Sequence, residues 1–347
     1  MFPGKPLCSL PKGATVAMIR RMPEKPNVVV AVDLPEHRKA EIEAVCTVNY
    51  LPMRGPRADL LAALAPAEGV LISNMVVAND ELFDAAPKLR VYAGIGVGYN
   101  NADVPSATRH GVVVCNTPGV LTNSVVDQTF GIILMLAKRL RENEEYVRSG
   151  SWSRRSTPPP MGIDIAGKTL GVIGFGRIGR EVTRRAQAFG MQTLFYDLFD
   201  TAVVDSPVSQ YAPLDDLLRE SDFVTLHTDL NDSTRGLIGE RELALMKPTA
   251  YLVNTSRGPV VNQKALVHAL KANRIAGAGL DVVEVEPPAP EEELLTLPNA
   301  LVFPHSATAT IETRNKMRDL AVRNLLAAMT GQMPATPVNP EALWVRR

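Results

Sequence analysis

The sequence predicts an α/β protein with two doubly wound parallel sheets, and three observations carry that expectation. Short apolar runs alternate with helical stretches from Asn27 to Phe303, the pattern of strands joined by crossover helices. One full set of alternations, Asn27 to Cys115, is complete before a glycine-rich turn at Gly174–Gly179, and a second set starts there. A final amphipathic stretch, Ile311 to Met329, follows the last strand of the second set and is free to return to the first. A length of 347 residues agrees with two domains.

Residues 1–25 read as a flexible extension. Lys5, Lys12, Arg20 and Arg21 precede the first acid, Glu24, but Pro3, Pro6, Pro11 and Gly13 break the amphipathic helix that a transit peptide needs. Asn27 to Val32 is a β-type run, Glu36 to Val45 and Asp59 to Leu64 are helical, and Gly69 to Ser73 is a strand. Glu81 to Ala86 is helical up to Pro87. Leu89 to Ile95 is a strand that runs into Gly96-Val97-Gly98-Tyr99-Asn100-Asn101. Val104 to His110 is helical, and Val112 to Cys115 closes the first unit with a strand.

One long helix is expected over Asn123 to Arg148, with Thr122 or Asn123 as N-cap and Gly150 past its end. Val126, Phe130, Ile133, Leu134, Ala137 and Leu140 form its apolar stripe, which serves either the core or a subunit interface.

The second unit opens on Leu170 to Ile173, a short buried strand. The turn Gly174-Phe175-Gly176-Arg177-Ile178-Gly179 follows, then a helix stopped by Gly190, then a strand, Thr193 to Tyr196, that ends on Asp197. In such a unit the first glycine permits a tight turn. The second lets backbone N–H groups approach a pyrophosphate, and the third lets helix and strand pack closely. The helix N-terminus faces the phosphate charge. Asp197 stands 18 residues past Gly179, close to where a ribose-binding acid belongs. These features predict dinucleotide binding. A carboxylate at this place accepts from the ribose hydroxyls of NAD and repels the 2′-phosphate of NADP. No Lys or Arg occurs between Arg185 and Arg219, while Asp197, Asp200 and Asp205 do. NAD is the expected cofactor.

Three polar residues follow later strands: Arg257 after Tyr251–Asn254, Glu286 after Ala278–Val282, and His305 after Leu301–Phe303. In open α/β sheets the carboxyl ends of strands line the ligand crevice, so all three can converge on a bound nicotinamide. An arginine can clamp a substrate carboxylate with two parallel hydrogen bonds. A histidine can give a proton to a carbonyl oxygen, and a glutamate beside it favours the imidazolium and raises its pKa. From spacing alone each has a plain alternative: a surface ion pair for Arg257, a solvated loop acid for Glu286, a satisfied core histidine for His305.

Composition narrows the partners. The formal net charge is zero and 46% of residues are hydrophobic, so nothing points to nucleic acid or an anionic membrane surface. No apolar run reaches the ~18 residues of a membrane span. Cys8, Cys46 and Cys115 are scattered, which argues against a disulfide framework or a zinc site, so no metal is expected. The expected setting is a reducing, cytoplasmic one.

At these segments the chain resembles the D-isomer-specific 2-hydroxyacid dehydrogenases. The matching residues are Gly96 to Asn101, Asn116 to Thr122, the glycine-rich turn, Asn254-Thr255-Ser256-Arg257-Gly258, Gly279-Leu280-Asp281-Val282 with Glu286-Pro287, and Pro304-His305. The resemblance implies that Arg257, Glu286 and His305 are the catalytic set. It implies a Rossmann cofactor domain, 119–308, inserted into a flavodoxin-like substrate domain, 26–118 with 309–347. The long helix after Leu121 would help to form a homodimer. Backbone N–H groups of Val97 and Gly98 would hold the substrate carboxylate, together with Arg257. Asp281 would bind the nicotinamide carboxamide, and Thr255, Ser256 and Arg257 would line the nicotinamide, with His305 next to both cofactor and substrate. Val260-Val261-Asn262-Gln263 and Thr313-Arg314-Asn315-Lys316-Met317 resemble most the glyoxylate and hydroxypyruvate reductases of the family.

Some positions depart from the family pattern. Ser306 puts a hydroxyl beside His305, Asn100 stands where aspartate is usual, and Asp229 stands where proline is common. The side-chain pocket of the substrate is expected around Ser73, Asn74, Met75 and Tyr99, with Trp152 of a second subunit. The function expected is NADH-dependent reduction of small 2-oxo acids such as glyoxylate or hydroxypyruvate. The alternatives are a D-lactate, D-mandelate or phosphoglycerate-type dehydrogenase, and a corepressor-like scaffold that senses NAD. A methyltransferase would use the glycines and leave Arg257, Glu286 and His305 without a task.

Overall fold

The computed structural model describes residues 25–155, 157–198 and 209–342. Residues 1–24 of the expected extension, and Asp200 and Asp205, lie outside the described residues.

The first sheet is formed by β1 (Asn27–Val30), β2 (Thr47–Tyr50), β3 (Gly69–Ser73), β4 (Val91–Ile95) and β5 (Val113–Cys115). Between them run α1 (Glu36–Val45), α2 (Arg57–Leu64), α3 (Asp80–Asp84) and α4 (Val104–Arg109). All pairings are parallel, in the order β2-β1-β3-β4-β5. Sheets of this kind are covered on both faces, which is why Val28-Val29-Val30 and Val70-Leu71-Ile72 are continuous apolar runs rather than alternating ones. β2 has no such run; three of its four residues are exposed, and its hydrophobic signal is correspondingly faint.

After β5 the chain forms α5 (Thr122–Lys138), α6 (Leu140–Arg148) and α7 (Ser151–Arg154). The single helix expected over Asn123–Arg148 is therefore two. Arg139 breaks it at φ 51°, a left-handed conformation. The physical reason lies on both sides of the break. The buried stripe ends at Ala137, and Leu140 is 48% exposed, so no apolar contact holds the next turn in line. The Asn143 amide then donates to the freed carbonyls of Lys138 and Arg139 at 3.2 and 3.1 Å. The N-cap also differs: Leu121 occupies it, and no side chain caps the helix.

The second sheet has seven parallel strands: β6 (Thr169–Ile173), β7 (Gln192–Tyr196), β8 (Gln210–Tyr211), β9 (Phe223–Leu226), β10 (Tyr251–Asn254), β11 (Gly277–Leu280) and β12 (Ala300–Val302). Its helices are α8 (Arg177–Ala188), α9 (Leu214–Glu220), α10 (Glu240–Leu245) and α11 (Gln263–Lys271). The order β12-β11-β10-β9-β6-β7-β8 reverses direction between β6 and β9. That reversal is a topological switch point, with a crevice at the carboxyl ends of the strands.

Two helices settle which sheet each joins by what they bury. α5 packs on β10 and β11, and Gly279 makes this approach possible: a Cβ there would fall 2.1 Å from Cγ2 of Ile132. The last helix, α12 (Ile311–Met329), crosses back to pack on β3 and β4, burying Ala321, Val322 and Leu325 among Val28, Val30 and Leu71. Its expected cap holds, since Thr310 accepts from the Thr313 N–H at 3.2 Å. Among the described residues no helix is long and apolar enough to cross a membrane.

Candidate active site

The glycine-rich turn leaves β6 at the switch point. Gly174 has φ 93°, and a Cβ there would meet the His227 backbone at 2.6 Å. A Cβ at Gly179 would fall 2.0 Å from the Gly174 carbonyl oxygen, so the start of α8 rests directly on the turn. Gly176, the N-cap of α8, is different: it has no side-chain cap, and a Cβ there would meet nothing. Helix-terminal N–H groups facing open space suit an anionic group such as a pyrophosphate, so the residues present fit a dinucleotide. Asp197, one residue past β7, accepts from the Phe175 N–H at 2.6 Å and thus sits against the same turn. Arg180 lies over the Phe175 ring, 5.2 Å from its centre.

Arg257 follows β10. Asn254 shapes its loop: the Asn254 carboxamide accepts from Ser256 N–H and Oγ at 3.0 and 2.9 Å and donates to the Arg257 carbonyl at 2.9 Å. Thr255 meets Thr129 of α5 through their hydroxyls at 3.0 Å. The Arg257 guanidinium donates Nη1 to the Ser256 carbonyl at 2.7 Å and Nε to Asn100 Oδ1 at 3.0 Å. Asn100, the departure from the family's aspartate, thus ties the two halves of the crevice together without adding a negative charge. Burial pushes the guanidinium pKa down, against the opposing pull of the Asp229 and Glu286 carboxylates.

Glu286 and His305 form a pair. His305 Nδ1 lies 2.7 Å from Glu286 Oε2, and the other oxygen, Oε1, accepts from the Val283 N–H at 3.1 Å. Burial raises the Glu286 carboxyl, but the His305 bond and charge, the Val283 N–H and the Arg257 charge outweigh it and hold the group below its ordinary value. With Nδ1 engaged, Nε2 is the ring atom left for a reacting group.

His305 itself stands at φ 51°. Asp281 holds it there. The Asp281 carbonyl accepts from the His305 N–H at 2.9 Å, and its carboxylate accepts from the N–H groups of Ser306 and Ala307, both at 2.9 Å. The Ser306 hydroxyl, the departure beside His305, donates to the Asp281 carboxylate as well, at 3.2 Å. Asp281 is 1% exposed and acts as the support of the histidine turn.

The expected carboxylate loop, Gly96 to Asn101, lies opposite. Val97 packs on the same apolar cluster as Ala307 of the histidine turn and Ile178 of the glycine-rich turn. Gly98 touches Arg257: a Cβ there would fall 1.8 Å from Nη2. The fold thus gathers Val97, Gly98, Arg257, Glu286 and His305, with Asp281 behind them and the glycine-rich turn alongside. Asn116, whose carboxamide donates to the Val97 carbonyl at 2.8 Å, is marked in the sequence only by its place in the Asn116–Thr122 segment.

The model of the family described as D-isomer specific 2-hydroxyacid dehydrogenase, NAD binding domain, matches residues 130–307. A glyoxylate reductase from Korarchaeum cryptofilum (strain OPF8) is 43% identical over 326 residues, which span 93% of this chain and 98% of the relative. Among solved structures, the TT0316 protein from Thermus thermophilus superposes with a TM-score of 0.82 at 37% identity, over 90% of this chain and 99% of that one. An NADPH-dependent glyoxylate/hydroxypyruvate reductase from Sinorhizobium meliloti, in complex with NADP and malonate, gives 0.81 at 32% identity, over 92% and 98%.

Proposed function

The chain belongs to the D-isomer-specific 2-hydroxyacid dehydrogenases, oxidoreductases acting on the CH–OH group of 2-hydroxy acids with a nicotinamide cofactor, and on that premise we propose that it reduces small 2-oxo acids such as glyoxylate or hydroxypyruvate with NADH. The observation that carries the reading is the His305–Glu286 contact at 2.7 Å, in a crevice where Arg257 meets the Gly98 loop.

The reduced nicotinamide, when bound, supplies the hydride. Arg257 and the N–H groups of Val97 and Gly98 hold the substrate carboxylate and align the neighbouring carbonyl. His305 Nε2 gives its proton to the carbonyl oxygen, and Glu286 stabilises the imidazolium that reduction requires. In the reverse direction neutral His305 takes the proton from the hydroxyl. Thr255 and Ser256 would line the nicotinamide and the Gly174–Gly179 turn would face the pyrophosphate, while Asp281, buried and bonded to Ser306 and Ala307, supports the histidine turn from behind.

NADH over NADPH rests on Asp197, which leans against the turn that would hold the ribose and phosphates. The packing of α5 and α12 supports a cofactor domain over 119–308 inserted between 26–118 and 309–347. Exposed apolar side chains along α6, α7 and the next loop, namely Leu140, Val147, Trp152 and Met161, support a homodimer in which Trp152 reaches the second subunit's crevice.

The test is oxidation of NADH and of NADPH with a panel of 2-oxo acids: glyoxylate, hydroxypyruvate, pyruvate and phenylpyruvate. Turnover of glyoxylate and hydroxypyruvate with NADH is the expected result. Binding of NADH without turnover of any 2-oxo acid would replace the enzyme by an NAD-sensing scaffold.

A further inference from the structure

We propose that Asn74 and Asn116 are positioning residues that set the aim of the Val97 and Gly98 N–H groups, by gripping the three carbonyls of that loop from its two sides. The inference rests on the reading that these N–H groups hold the substrate carboxylate.

A trans peptide is planar, so fixing a carbonyl fixes the N–H of the following residue, which points the opposite way. Three consecutive peptides of the loop are fixed in this manner. The Gly96 carbonyl, whose peptide carries the Val97 N–H, accepts from Asn74 Nδ2 at 3.0 Å and from the Thr117 N–H at 2.8 Å. The Val97 carbonyl, whose peptide carries the Gly98 N–H, accepts from Asn116 Nδ2 at 2.8 Å. The Gly98 carbonyl accepts from Asn74 Nδ2 at 3.0 Å. One carboxamide therefore spans two peptides, and the other takes the peptide between them.

Both asparagines are themselves held. Asn74 follows β3, and its Oδ1 fills the space beside Gly94, where a Cβ would fall 1.6 Å from it. Gly96, at φ 142°, leaves room for the same side chain, with a Cβ position 3.3 Å from Asn74 Cβ. The Asn74 carbonyl accepts from Asn101 Nδ2 at 3.1 Å. Asn116 follows β5 and is buried; its carbonyl accepts from Asn324 Nδ2 of α12 at 3.3 Å and from Thr336 Oγ1 at 2.6 Å. The loop's flexible glycines are thereby rigid where a carboxylate would meet them. Pre-set donors bind an anion without first losing their own freedom.

The experiment uses Asn74→Leu and Asn74→Asp, which keep the shape of the side chain and remove its donors, with Asn116→Asp as a second site. Five quantities are read on each full-length variant: KM and kcat for glyoxylate with NADH, the inhibition constant of oxamate, the Kd of NADH by fluorescence, and Tm. KM and the oxamate constant should rise together by roughly tenfold in all three variants. The rate constant kcat should stay within about threefold, with NADH affinity and Tm retained. Unchanged KM and oxamate binding in Asn74→Leu would overturn the proposal. So would a loss confined to Asn74→Asp, which would mark charge repulsion rather than aim. A parallel loss of NADH affinity and Tm would make the asparagines merely structural. A wild-type enzyme that neither reduces any 2-oxo acid nor binds oxamate would overturn the underlying reading as well, and is told apart by needing no variant.

Discussion

A side chain at Gly98 and the guanidinium of Arg257 exclude each other: the Cβ position of one lies 1.8 Å from Nη2 of the other. The two residues come from different sheets, and their contact closes the crevice from both sides. Gly98→Ala should push Arg257 aside and lower kcat/KM for 2-oxo acids roughly 10²-fold, the cost of displacing a catalytic group by about an ångström. NADH affinity should be unchanged. Steady-state kinetics with direct NADH titration checks both, and full activity in the variant would remove Arg257 from its assigned position.

The His305–Glu286 pair makes a second prediction. His305→Gln should lower kcat by roughly 10²–10⁴-fold, the range of a lost general acid, with NADH binding intact. Glu286→Gln retains the shape, loses the charge, and should lower kcat by less. An undiminished kcat in His305→Gln would exclude proton transfer from this ring.

Asp197 governs the third. With its carboxylate replaced in Asp197→Asn, the preference for NADH over NADPH in kcat/KM should shrink by roughly tenfold, since a like charge no longer faces the 2′-phosphate. A wild-type enzyme that already favours NADPH would show that this acid does not select the cofactor.

His227 controls a pH effect on stability. Its Nδ1 is sealed from solvent without a partner among the described residues, and burial pushes the imidazole down from 6.5 to about 3. The unfolded chain therefore binds one more proton than the folded one between those values. His227 contributes stability above pH ~6.5, and this is lost as pH falls toward ~3. Chemical unfolding of the apoprotein across that window should show a slope that His227→Asn reduces by up to about 1.4 kcal/mol per pH unit. Equal slopes in the two proteins would mean that His227 is charged in the fold.

The alternation of buried apolar runs with helices was readable because parallel strands covered on both faces are apolar along their whole length. The helix at Ile311–Met329 was readable to the residue, since Thr310 caps it and Gly331 follows. β2 and the break at Arg139 were not. An edge strand with exposed residues has no apolar signature, and the break depends on where α5 runs out of a surface to pack against.

By itself the sequence determined the chemistry on offer: a glycine turn with an acid 18 residues on, and an arginine, a glutamate and a histidine each placed after a strand. Those are local facts, set by residue type and spacing. Only the tertiary structure decided which groups meet. The order of the strands brings the ends of β6 and β9 to one crevice, and Asp281 turns His305 onto Glu286. Asn74 and Asn116 reach the same loop from strands on either side of it. Such contacts join residues far apart in the chain, and sequence spacing carries no information about them until the sheets have formed.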